Sequence, residues 1–230
     1  MSKTTSILFL IQLTIFFACN NSKKKEVKAE INIHKTSDLQ DKNDKIIKSD
    51  TLYKLLDFAK NVDTLEFQSN EPFLYIKTGN LFSKKEKSAI LVNCATDTTY
   101  NIKLYSNIRG RWIKSDEISN LDVFPMQYEV SILDYNFDGF KDIYLNSSSS
   151  QGYSLSRGHL LTVNPNSRKF ERHLETRNLA NLFPDTKTKS VAADDVEYLK
   201  DGNKRILKLI YKWENGKLKY LKKEFLKETY

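Results

Sequence analysis

The sequence predicts an all-β domain with one short N-terminal helix, its antiparallel sheets arranged as propeller-like blades or as a curved sandwich. Three observations lead there. Short runs rich in Ile, Val, Tyr and Phe, broken by polar turns, recur from residue 73 to the C-terminal region. No regular helical segment separates them, which argues against a parallel βαβ sheet. Asn215-Gly216, between "LKLIYKW" and "KLKYLKK", is a two-residue hairpin signal. With 40% hydrophobic and 12% aromatic residues, the 230-residue chain can build a core, which excludes global disorder.

The first 18 residues read as a leader, not as part of the fold. Lys3 precedes an apolar stretch from Ile7 to Ala18, interrupted by Gln12 and Thr14. That stretch is too short for a membrane span, which needs about 20 residues. A positive start, a short apolar run and a small residue mark an export signal. The following "ACNN" resembles the lipobox of bacterial lipoproteins, which implies that Cys19 carries lipid and begins the mature chain. Residues 20–48 are polar and charged, and read as a flexible tether. The run Lys23-Lys24-Lys25 just after the cysteine is basic, which favours an outer-membrane lipoprotein facing the periplasm over surface display.

The domain therefore begins near residue 49. "SDTLYKLLDFAKNV" places Leu52, Leu55, Leu56, Ala59 and Val62 at helical spacing, with Ser49 or Asp50 as a candidate cap. From Phe73 the period becomes strand-like. "FLYIK", "SAILVN", "YNIKLYS" and "RWIKS" form one set, and "YEVSILD", "KDIYLN" and "HLLTVNP" a second. "SVAA" and the hairpin around Asn215-Gly216 form a third. Between them, "SSSSQGYSLSRG" reads as a long connection and a candidate contact surface. "NLANLFPDTK" reads as a loop or single helical turn stopped by Pro184, and Lys200-Asp201-Gly202-Asn203 as a turn.

The sharpest signal is "DYNFDGFKD", residues 134–142. Calcium takes six to eight oxygens at about 2.3–2.6 Å, and a short loop encloses it when alternate side chains point inward. Asp134, Asn136 and Asp138 supply side-chain oxygens, Gly139 allows the sharp turn, Phe140 offers its backbone carbonyl, and Asp142 closes the loop directly or through water. An EF-hand would continue to a Glu at the twelfth position, where this chain has Leu145. The flanks "VSIL" and "IYL" are strand-like. Without an ion, the same residues make an acidic hairpin turn.

These residues resemble the calcium turn of FG-GAP/VCBS-type repeats. The chain is similar to a family of small bacterial lipoproteins that share this loop, an "NPN" turn followed by Phe170, Pro184-Asp185, and a "YKWENGKL" hairpin. The similarity runs roughly from residue 70 to 225. It implies a calcium-stabilised β domain, and family members include periplasmic immunity lipoproteins that block peptidoglycan-degrading toxins. A protein partner is thus one expectation. A cell-wall glycan or envelope-scaffold ligand is the alternative, and a hydrolase is a third reading.

No catalytic constellation stands out. His34, His159 and His173 form no motif, and the serine-rich stretch lacks a nucleophile elbow. Glu117, Asp116, Asp194, Asp195 and Glu197 could serve a glycosidase only as a pair set across a cleft. Cys94, after "AILVN", reads as a buried strand-end thiol. Calcium at 134–142 is read as structural and the protein as a binder, not an enzyme. The formal net charge is +8; removing residues 1–18 takes away Lys3 and no acid, leaving +7. This surplus favours anionic envelope surfaces, and an exported chain without a nucleic-acid-binding motif argues against nucleic acid.

Overall fold

In the computed structural model, the described residues are 27–28, 43–70, 72–149 and 155–225. The predicted leader, Cys19 and most of the tether lie outside them. Within the tether, Val27–Lys28 (β1) pairs in parallel with Leu65–Glu66. The helix α1 spans Asn43–Ala59, so Ser49 and Asp50 lie inside it and neither caps it. No helix among the described residues is long and apolar enough to cross a membrane.

Two sheets follow. The first contains β1, then β2 (Leu65–Asn70), β3 (Phe73–Gly79), β4 (Ser88–Thr96), β5 (Thr99–Ile108) and β6 (Arg111–Asp122), in chain order. From β2 onward it is an antiparallel meander. The second contains β7 (Val130–Leu133), β8 (Asp142–Ser149), β9 (Ser156–Asn164), β10 (Lys169–His173), β11 (Ala180–Asp185), β12 (Ser190–Tyr198), β13 (Lys204–Glu214) and β14 (Lys217–Phe225). Its order is β14-β13-β12-β11-β9-β8-β7, with β10 pairing β9 alongside that path. The sheets do not close, so the architecture is the curved sandwich, and the three strand sets of the sequence resolve into two sheets.

Burial on both faces explains why central strands such as β3, β4, β8 and β9 read as nearly continuous apolar runs. Tyr75, Ile90, Val92, Ile102 and Leu104 of the first sheet meet Ile132, Ile143, Leu145, Leu161 and Val163 of the second in the main core. The alternate residues Ile76, Ala89 and Leu91 point the other way, against Leu55, Leu56 and Ala59 of α1. Trp112 Nε1 donates to the Leu56 carbonyl at 2.7 Å, pinning the helix to the sheet. In the second sheet, Tyr144 and Leu160 face away from the main core. The sheet curls so that Leu182, Val191, Ala193 and Leu218 pack on them in a third cluster.

Several elements differ from the sequence reading. β2 and β10 were not anticipated as strands. The "NLANLFPDTK" stretch contains β11, with Pro184 opposite Val191. β11 meets β9 only at Ala180↔Arg157, so its C-terminal end pairs on one side, an edge position where proline is tolerated. The serine-rich connection is shorter than expected. Ser147–Ser149 extend β8, Ser156–Gly158 begin β9, and residues 150–154 lie outside those described. The Asn215-Gly216 turn forms as anticipated, with φ of +50° and +73°.

At Gly158, β9 leaves no room for a side chain against β8. A Cβ there would sit 2.3 Å from the Leu145 carbonyl oxygen. Gly158→Ala is expected to destabilise by at least the 1–3 kcal/mol, roughly, of an overpacked core. Leu145→Ala should cost about 2–5 kcal/mol through its cavity. Leu221→Ala, at a 51% exposed position, should change stability by less than about 0.5 kcal/mol. Equilibrium urea unfolding measures all three.

Candidate metal loop and the buried polar groups

The 134–142 loop joins β7 to β8, between two apolar strands, as the sequence required. Its hydrogen bonds form an inward-facing set. Asp142 Oδ2 accepts the backbone N–H groups of Tyr135 at 2.8 Å and Asn136 at 3.0 Å. Asp134 Oδ2 accepts the Gly139 N–H at 3.0 Å. Asn136 Oδ1 accepts from the Asp138 N–H, and Asp138 Oδ1 from the Phe140 N–H. Asn136 Nδ2 donates to Asp138 Oδ2 at 2.9 Å. Phe137 at φ +61° and Gly139 at +87° make the tight curve.

The aromatic residues of the loop anchor it. Tyr135 is buried and packs beside Tyr144, with ring centroids 6.0 Å apart. Its carbonyl accepts Trp213 Nε1 from β13 at 2.6 Å. Phe137 packs against the third cluster. Lys141 N–H donates to the Leu81 carbonyl at 2.9 Å, reaching the β3–β4 connection of the other sheet. The loop thereby joins its own sheet, the returning β13 and the opposite sheet.

Two features bear on a cation. Asp134 Oδ1 is buried and has no hydrogen-bond partner among the described residues. Asp142 is only 1% exposed, and burial pushes its carboxyl up to about 7. The two backbone N–H bonds oppose that rise, and the charges of Asp138 and Asp134 add to it. A bare carboxylate oxygen beside a second, desolvated carboxylate costs free energy that a hard cation would recover. Set against this, no three His, Cys, Asp or Glu side chains among the described residues are gathered so as to hold a metal. The loop's predicted donors are mixed, two of the five being the Asn136 amide and the Phe140 carbonyl.

The histidines near the core are spent on structure. His159 is 1% exposed; its Nε2 lies 2.9 Å from the Asp122 carbonyl, and Arg172 Nη2 lies 3.2 Å from its Nδ1. Because arginine only donates, Nδ1 accepts and Nε2–H donates to Asp122. Arg177 pairs with the Asp122 carboxylate at 2.5 Å. His173 Nε2 meets Thr162 Oγ1 at 2.9 Å, and its ring packs edge-on to Trp213. Burial is the main cause holding both imidazoles below their usual range. His34 lies outside the described residues.

The candidate acids are engaged as well. Asp116 accepts the Phe170 N–H at 2.7 Å, linking β6 to β10. Glu117 pairs with Lys114 and Lys103, Glu197 with Arg205 and Lys223, and Asp194 with Asn181. Asp195 accepts the Val196 N–H. Cys94 is partly buried near the end of β4, against the main core. The sequence reading did not single out a basic cleft around Lys85, Lys87 and Arg109. Its signal is the lysine-rich "SKKEKS" between β3 and β4.

No protein-family model, curated protein or solved structure matches the chain.

Asp142 and the histidines shift stability with pH in opposite directions. Asp142's folded value lies above the model-compound value of 3.8, so its contribution declines as pH rises from about 4 to 7. The histidines' folded values lie below 6.5, so their contribution is present above that pH and is lost below it. In chelator, Asp142→Asn keeps an acceptor for both N–H groups and removes the charge. The variant should be at least as stable as wild type near pH 7.5 and should weaken steadily below pH 6.5. Urea unfolding from about pH 5 to 8 measures this; a less stable variant at pH 7.5 would mean that the carboxylate's charge is favoured in the fold.

Proposed function

We propose that the protein is a lipid-anchored periplasmic binding protein. Calcium at 134–142 stiffens its β domain, and its partner is a protein, with a cell-wall hydrolase as the leading class. The observation that carries the metal is the buried, partnerless Asp134 Oδ1 beside the desolvated Asp142. Asp134, Asn136, Asp138, the Phe140 carbonyl and Asp142 would hold the ion, which supplies charge compensation and no bond-breaking chemistry. Support for binding comes from the engagement of the histidines and candidate acids in hydrogen bonds or ion pairs within the fold. The resemblance to immunity lipoproteins, carried by the loop and the "YKWENGKL" hairpin, points to a hydrolase partner.

Cys19→Ala should move the protein from the membrane fraction to the soluble fraction and abolish palmitate labelling. Immobilised protein should retain a peptidoglycan hydrolase from envelope extract and suppress its release of muropeptides. Retention on purified peptidoglycan with no hydrolase inhibited would favour the glycan-binding alternative. Muropeptide release by the protein itself, lost on changing Glu117 or Asp194, would make it an enzyme.

A further inference from the structure

Part of the chain's basic surplus gathers at a concave site that shares no lining residue with the 134–142 loop. A cleft of about 500 Å³ is bordered by Lys60 just after α1, Lys85 and Lys87 in the β3–β4 loop, and Arg109 at the β5–β6 turn. Glu86 lines it too, but its carboxylate is paired with Arg168 at 2.6 Å. Four cations thus face one carboxylate whose charge is already matched from the other sheet.

The local structure holds these groups in place. Lys87 Nζ donates to the Val62 carbonyl at 2.7 Å and the Lys60 carbonyl at 3.3 Å. An ammonium has three donors, so one remains for a ligand. Ser83 Oγ accepts the N–H groups of Lys85 and Glu86, which shapes the loop. The Asn107 N–H donates to the Lys87 carbonyl at 2.9 Å, fastening the hairpin to that loop. Arg109 at φ +50° and Gly110 at +78° form its tight turn. Lys60 pairs with Asp57 at 2.8 Å, whereas Lys85 and Arg109 have no ion-pair partner among the described residues.

We propose that this cleft is a binding site for a small ligand carrying two or more phosphate groups. The volume admits a small molecule. A single charge would leave most of the cations unmatched, whereas an oligophosphate offers acceptors to several, with Arg109 suited to bidentate contact. No aromatic side chain lines the cleft, so it lacks the stacking platform that single-stranded nucleic acid uses. The proposal stands apart from both the calcium loop and the protein partner.

Isothermal titration of the full chain with tripolyphosphate tests it. Binding should weaken as salt rises, and Lys85→Ala/Arg109→Ala should reduce affinity by about tenfold or more. Lys219→Ala/Lys222→Ala on β14 removes the same charge elsewhere and should leave affinity unchanged. Binding of phosphatidylglycerol vesicles that tripolyphosphate displaces, and that the cleft variant loses, would also support the site and assign the phosphates to lipid headgroups. No binding of tripolyphosphate, or equal loss in both double variants, would overturn the proposal.

Discussion

The carboxylate of Asp142 is the constraint around which the fold is arranged. It stands at the first position of β8, almost wholly buried, and gathers the N–H groups of Tyr135 and Asn136. That pair of bonds turns the chain back so that β7 and β8 align, with Leu133 opposite Asp142 itself. The register then sends Ile143 and Leu145 into the main core and Tyr144 into the third cluster. A one-residue slip would exchange these faces. Lys141 and Tyr135 extend the same anchor to the opposite sheet and to β13.

The price of this arrangement is a buried charge among acids. Protonating Asp142 relieves it, and an ion that used Asp134 Oδ1 would relieve it without protonation. Elsewhere the interior handles polarity differently. His159 and His173 stay neutral and bridge strands through a carbonyl, an arginine and a threonine. The open sheet edge is handled at the surface, where β14 carries Lys217, Lys219, Lys222 and Lys223 along a largely exposed strand. Lysines on an edge discourage pairing with another chain.

Much of this was legible because the central strands bury both faces and their apolar runs announce themselves, as in "SAILVN" and "KDIYLN". The turn at Asn215-Gly216 was legible because both residues must take positive φ. β2 and β10 were hidden because a mostly polar "LEFQSN" and a five-residue "KFERH" carry little periodic signal. β11 was hidden by Pro184, whose tolerance depends on a one-sided pairing visible only in three dimensions. The loop residues 134–142 were readable as a unit, but the orphaned oxygen of Asp134 and the depth of Asp142 depend on packing. The basic cleft draws on three separated segments, of which only the lysine-rich "SKKEKS" leaves a local signal, so its assembly depends on the fold.

The central claim is that the loop needs a cation to be fully stable. Thermal unfolding of the protein near pH 7.5, in calcium and in EGTA, tests it for wild type and Asp138→Ala. The account predicts a higher melting temperature in calcium for wild type, by several degrees, about what 1–3 kcal/mol gives a domain of this size, and no such difference for the variant. Equal melting temperatures for wild type in both solutions would contradict it, leaving 134–142 an acidic turn held by its own backbone hydrogen bonds.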